Sequence, residues 1–144
     1  MQLDKTDSEI IEILSKGYVP NSVIARKMGL TEGTIRQRIK RLKDNGAVNI
    51  KALRNPNVLD DQQLVIVSAT VKESRLLDAK AKEISELDDV LSVSIISGQY
   101  DLLIEVLVDS NKGLMRFLTE GLSSIEGISK TESFVVLKSY NKFV

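Results

Sequence analysis

An α+β fold in two parts is expected for this chain: three short helices first, then a βαββαβ unit. Three observations carry that expectation. Apolar residues recur at helical spacing through residues 4–43, and β-branched runs with strand character dominate four later segments. The string Met28-Gly29-Leu30-Thr31 joins a helix stop to a helix start with one residue between them. The charge also divides. Residues 1–54 carry eleven Lys/Arg against six Asp/Glu, a net of +5, while residues 55–144 carry nine against fourteen, a net of −5. The overall zero therefore conceals a basic third and an acidic remainder, which reads as two modules with different partners.

The elements follow in order. Residues 4–16 place Ile10, Ile11 and Leu14 on one helical face, and Gly17 ends the run. Residues 21–28 read as a short helix with Ile24 and Met28 in its apolar set. Gly29 suits the left-handed residue that closes a helix, and Ala25 four positions earlier leaves room for a close helix crossing. Thr31 is the expected N-cap of a third helix, 31–43, which Asn45-Gly46 stops. Val48 to Leu53 alternates and predicts an extended linking strand, broken by Asn55-Pro56-Asn57. Strands are then expected at 64–71, 90–97, 101–108 and 130–140, with helices at 74–87 and 111–124. That order is the ferredoxin-like plan. Val, Ile and Leu occur on both sides of these strands, so the outer sheet face needs a cover, and a partner subunit is the economical one. The expected boundaries are 1–47 for a helix-turn-helix domain, 48–62 for the linking strand and hinge, and 63–144 for the ferredoxin-like domain.

Composition removes several chemistries. The chain of 144 residues has no Cys and no His, which excludes disulfides, thiolate and imidazole metal sites, and histidine general bases. No metal or cofactor is expected. Only Arg75 and Arg116 supply guanidinium groups after residue 54, and neither sits beside a glycine-rich phosphate loop, so no catalytic constellation is expected. No leader opens the chain and no apolar run approaches spanning length, so a cytoplasmic protein without membrane contact is the expectation. Aromatics make up 4% of residues, too few for a surface that stacks single-stranded bases.

The third helix carries the most chemistry. On a wheel of roughly 100° per residue, Ile39 and Leu42 fall within about 40° of Ile35, giving one greasy stripe. Gly33, Thr34, Gln37, Lys40 and Arg41 lie opposite, with Arg36 and Arg38 on the flanks. A helix so divided packs on a small core and offers donors to DNA. Gln37 matches adenine in bidentate fashion, and Arg36 or Arg41 matches guanine N7 and O6. Thr34 suits a thymine methyl or a phosphate, and Gly33 permits close backbone approach. Arg38, Lys40 and Lys43 are expected on phosphates, as is Ser22 at the start of the second helix. For Arg38 the alternative is a structural ion pair with an acid of the first helix, such as Glu9 or Glu12.

In the second domain, Gly98 and Asp101 flank a tight corner, Ser97-Gly98-Gln99-Tyr100-Asp101. Asp101 suits an α-ammonium group, and amides near Gly98 suit a carboxylate. Thr131 and Ser133 stand two apart on the last strand, hence on one face. A plain hairpin turn explains the same five residues.

Taken together, these residues resemble the Lrp/AsnC (leucine-responsive, feast/famine) transcription regulators over essentially the whole chain. Leu3-Asp4 with Asp7 and Ile10-Ile11 is similar to the family's opening helix. Ala25, Met28-Gly29-Leu30, Thr31, Thr34-Ile35, Arg38-Ile39 and Leu42 are similar to its helix-turn-helix signature. Gly46 with Ile50, Asn55-Pro56 with Leu59, Ser97-Gly98 with Tyr100-Asp101, and Ile125, Gly127-Ile128 and Thr131 continue the match. Two departures stand out: Asp60 replaces a frequent Gly, and Gln99 replaces a frequent acid in the sensing turn. The resemblance implies a sequence-specific regulator of transcription that binds double-stranded DNA. It implies a homodimer, or a higher assembly up to a tetramer or an octamer of dimers. It further implies an amino-acid effector held between subunits near Gly98, Gln99, Tyr100, Asp101, Thr131 and Ser133. The alternative is an effector-independent architectural or autoregulatory DNA-binding protein of the same fold.

Overall fold

Two aspartates set where the chain first turns helical. In the computed structural model, which describes residues 2–144, the Asp7 amide donates to Asp4 Oδ1 (2.7 Å) and the Asp4 amide donates to Asp7 Oδ2 (3.2 Å). This reciprocal capping box starts α1, Lys5–Ser15. Helix α2, Asn21–Met28, ends on Gly29 at φ 65°, ψ 30°, and the Leu30 amide closes back on the Ala25 carbonyl at 3.0 Å. A side chain at position 29 would meet the steric penalty of the left-handed region, so the sharp turn needs the glycine. Thr31 Oγ1 accepts from the Thr34 amide and starts α3, Glu32–Asp44. The core of this unit is Ile10, Ile24, Ala25, Ile35, Ile39 and Leu42, so the expected stripe of α3 is the one that is buried.

The strand expected at 48–53 does not form. A strand needs a paired neighbour, and among the described residues none pairs with this segment. Instead the Ala47 and Val48 amides fold back on the Leu42 carbonyl, prolonging the end of α3. Asn55 then caps a single 3-10 turn, Pro56–Val58.

The chain divides into two units, Met1–Ala52 and Leu53–Val144. In the second, β1 (Gln63–Val71), α4 (Leu77–Ser85), β2 (Val90–Ile95), β3 (Leu102–Val108), α5 (Ser110–Arg116) and β4 (Ile128–Val135) build one antiparallel sheet in the order β2-β3-β1-β4. This is the ferredoxin-like arrangement. Val65, Val67, Ala69 and Val71 of β1 and Leu102, Ile104, Val106 and Val108 of β3 alternate onto one face, under Ile84, Phe117 and Leu122. Leu64, Ile66, Leu103 and Leu107 take the other face.

Two expected elements end differently. The helix expected at 111–124 is α-helical only to Arg116, then passes through a π turn, Phe117–Gly121, and a 3-10 turn, Leu122–Ser124. Hydroxyls compete with amides there: Thr119 donates to the Met115 carbonyl, Ser123 to Thr119 and Ser124 to Gly121. The last strand stops at Val135 rather than reaching Tyr140: the Val136 amide still donates to the Leu64 carbonyl (3.0 Å), but β1 begins at Gln63 and offers residues 138–140 no partner. The remaining tail is fastened elsewhere. Asn57 exchanges two hydrogen bonds with the Ser139 backbone, Arg54 and Val144 exchange two more, and Lys142 reaches Glu105 on the outer face at 2.5 Å.

Candidate DNA-reading helix and sensing turn

Burying Ile35, Ile39 and Leu42 turns the rest of α3 outward. Gly33, Arg36, Gln37, Lys40 and Lys43 are exposed, and Thr34 is half-buried with its hydroxyl 2.9 Å from that of Thr31. Gln37 and Lys43 have no side-chain partner among the described residues, which leaves both free for an external one. Arg36 donates to Glu32 (2.8 Å) and Lys40 to Asp44 (2.6 Å), both exposed pairs one turn apart that cost little to exchange for phosphate. Arg26 and Lys27, in the last turn of α2, add two exposed cations. Ser22 is exposed in the first turn of α2, where Pro20 supplies no side-chain cap.

Arg38 and Arg41 are placed differently. Arg38 Nη1 donates to Asp4 Oδ2 (2.7 Å) and Asp7 Oδ1 (2.8 Å), while Arg41 Nη2 donates to Asp7 Oδ2 (2.6 Å). Asp7 is fully buried, and both its oxygens are satisfied by these arginines and the Asp4 amide. The ion pair weighed for Arg38 is therefore the one observed, but with Asp4 and Asp7 rather than Glu9 or Glu12; Glu12 is held by Lys16 instead. Arg41, read as facing away from the core, also turns one nitrogen back to Asp7. The hydrogen bond from Arg38 holds the Asp4 carboxyl below its ordinary pKa, and Asp4 in turn, followed by Asp7, raises that of Arg38.

At the corner between β2 and β3, Ser97, Gly98 and Gln99 are exposed. The Ile96 amide donates to the Asp101 carbonyl (2.9 Å) and closes the turn. Asp101 Oδ2 accepts from the Val71 amide (2.9 Å), beyond the irregularity in β1 between Ala69 and Val71. The Tyr100 hydroxyl donates to Glu132 Oε2 (2.7 Å), which raises the phenol's pKa, and Lys130 Nζ sits 5.5 Å from the ring centroid. Register decides the rest. Thr131 pairs with Ala69 and Ser133 with Val67, which puts both on the helix-covered face, whereas Glu132 pairs with Ser68 on the opposite one. Within one chain, Tyr100 therefore meets Glu132, and Thr131 and Ser133 stand apart from it.

Residues 64–143 match the Lrp/AsnC ligand binding domain, and residues 3–49 match a winged helix-turn-helix DNA-binding domain. The chain belongs to the Lrp/AsnC family of transcription regulators. Among curated relatives, the HTH-type transcriptional regulator FL11 of Pyrococcus furiosus is 33% identical, over 97% of this chain and 93% of its own length. Among solved structures, the leucine response regulatory protein of Mycobacterium tuberculosis superposes with a TM-score of 0.79 at 22% identity, covering 97% of this chain and 96% of that one. A transcriptional regulator of Neisseria meningitidis, solved in complex with L-methionine, gives a TM-score of 0.70 at 23% identity, covering 99% and 94%.

For this Lrp/AsnC chain, sequence reasoning identified the outward face of α3 but missed the acids behind it. Asp4-x-x-Asp7 was visible as a capping box, and Arg38 and Arg41, three apart, were visible as a pair able to face one partner. Glu132 lies between two hydroxyl residues on the opposite face of β4, and no spacing in the sequence ties it to Tyr100, 32 positions away.

Proposed function

We propose that this Lrp/AsnC regulator reads a specific duplex sequence with α3, assembles as a homodimer or a higher oligomer of dimers, and answers to an amino acid at the turn 97–101. The observation that carries the DNA reading is the row Arg36, Gln37 and Lys40 turned outward while Ile35, Ile39 and Leu42 are buried. Gln37 and Arg36 are assigned to base edges, with Thr31, Thr34, Lys40 and Lys43 on phosphates and the backbone at Gly33 close to the groove floor. The first amides of α2, beside Ser22, suit another phosphate because Pro20 leaves them without a side-chain cap. A binding-site selection with the parent and Gln37→Ala tests this. A lost consensus position in the variant is expected; an identical consensus would contradict the assignment.

Support for an effector comes from Gly98. Its φ does not require glycine, and a Cβ there would meet no atom within 4 Å. Nothing within the chain demands a glycine there, which fits a ligand or a second subunit approaching the turn closely. Asp101 Oδ1 has no hydrogen-bond partner among the described residues and suits an ammonium group. The carboxylate of Asp101 favours an ammonium group and the exposed amides near Gly98 suit a carboxylate, consistent with the relative solved with L-methionine. Thr131 and Ser133 join this site only if a second subunit supplies them. Support for assembly comes from the tail, where Leu137 is 94% and Tyr140 81% exposed, and from Phe134 on the edge strand. Calorimetry with each of the twenty amino acids tests the effector: heat with at least one at millimolar concentration is expected, and its loss in Asp101→Asn, which keeps the acceptor for the Val71 amide. No heat with any would favour the effector-independent regulator.

A further inference from the structure

We infer that Asp4 and Asp7 act as a restraint on sequence-independent DNA binding, holding Arg38 and Arg41 away from phosphate so that α3 discriminates by its remaining donors. This rests on the reading that α3 lies on DNA. The four groups, two carboxylates and two guanidiniums, sum to zero charge and are linked by three hydrogen bonds of 2.6–2.8 Å. The two arginines belong to the DNA-facing helix: going round the wheel from the buried stripe, Arg38 comes first, then Arg41, then Gln37, each roughly 40–60° from the last. Arg38 is 27% exposed and Arg41 50%, so both reach the surface beside the outward row. Guanidiniums at that place would bind any phosphate, because phosphate contacts carry no sequence information. Charge-assisted bonds to a buried carboxylate oppose that, since leaving Asp7 without partners costs far more than separating an exposed pair.

A bland role for Asp4 and Asp7 is to pin α1 to α3. The test must therefore separate stability from selectivity. Asp4→Asn does so: asparagine caps a helix as well as aspartate, so α1 keeps its start, yet the cluster changes from neutral to +1. Glu12→Gln is the control. It makes the same change in net charge on the same helix, but Glu12 holds Lys16 and releases nothing on α3. The full-length parent and both variants are titrated against mixed-sequence duplex DNA, with no preferred site, from about 0.05 to 0.3 M salt.

For Asp4→Asn, the slope of log K against log salt is expected to steepen by about 0.9, the contribution of one additional phosphate, with affinity at about 0.1 M salt rising up to roughly eightfold. Glu12→Gln should keep the parent slope. Asp4→Asn matching Glu12→Gln, or matching the parent, would overturn the restraint while leaving the DNA reading intact. Thermal melting of both variants accompanies the titration, and Asp7→Asn provides a second, larger release if it folds. No binding by the parent at any salt would overturn the DNA reading and the restraint with it.

Discussion

The two units of this chain treat their surfaces in opposite ways. In Met1–Ala52 nearly every acid faces a base: Asp4 and Asp7 hold Arg38 and Arg41, Glu32 holds Arg36, Glu12 holds Lys16, and Asp44 holds Lys40. What remains is a surplus of cations on α2 and α3. In Leu53–Val144 the surplus is apolar: Leu53, Val58, Met115, Phe134, Leu137, Tyr140 and Phe143 are all exposed. Charge is legible in a single chain, because a surplus of exposed cations gathered on two neighbouring helices points to an anionic partner. Exposed apolar surface indicates only that something covers it, and geometry between copies decides what. The comparison explains why one function can be assigned to named side chains and the other only to a turn and its surroundings.

Breaking the first unit from within should have the largest effect. Ile35 is buried at the centre of the small core, so Ile35→Ala should cost about 2–5 kcal/mol. So small a core has little to spare, and DNA binding should vanish. Circular dichroism should then show loss of helix with the strand signal retained; loss of both would mean that the units fold as one.

Next comes Gln37→Ala, expected to cost about 1–3 kcal/mol on a preferred site and almost nothing on mixed-sequence DNA. Competition binding checks it. Equal losses on both would move Gln37 from base to backbone. On the other unit, Leu137→Glu with Tyr140→Ser should shift the assembly toward smaller species in sedimentation. Both side chains are exposed, so the chain's own fold should hardly change. An unchanged sedimentation profile would place the interface elsewhere.

The smallest effects are in pH. Asp4 in the first unit has a lowered pKa, so its contribution to stability is complete above the ordinary aspartate range and is lost as pH falls through the lower, folded value. Tyr100 in the second unit is raised by its hydrogen bond to Glu132. Its contribution is complete below about pH 10 and is lost as pH rises through the higher, folded value. Glu105 behaves as Asp4 does: burial opposes its charge, but Lys142 and Ser92 outweigh that and hold its pKa down. Melting of Asp4→Asn should lose part of the acid-side slope, and Tyr100→Phe part of the alkaline one. Variants with the parent's profile would show these pairs to be idle.

Much of this architecture was legible in the residues. Gly29 between two apolar periodicities fixed the helix-turn-helix, and four β-branched runs fixed the sheet. The misses have physical causes. Val48 to Leu53 alternates like a strand, but alternation supplies no partner. Residues 136–140 look like a continuation of β4, yet pairing ends where β1 begins. The wheel turned Arg41 outward, but it could not see Asp7, which lies 34 positions away in sequence and enters the core through a cap. At the turn, parity put Thr131 and Ser133 together correctly, but which face they occupy depended on register with β1.

The central claim is that the cationic outer face of α3 binds DNA. Its most direct test is the salt dependence of full-length protein on duplex DNA, alone and with Lys40→Ala and Lys43→Ala combined. Both side chains are exposed and lie outside the core, so the fold should survive. With about six phosphates neutralised, the parent's log K should fall against log salt with a slope near −5, and the double variant should be shallower by about two units. A parent slope near zero, or the same slope in both proteins, would contradict it.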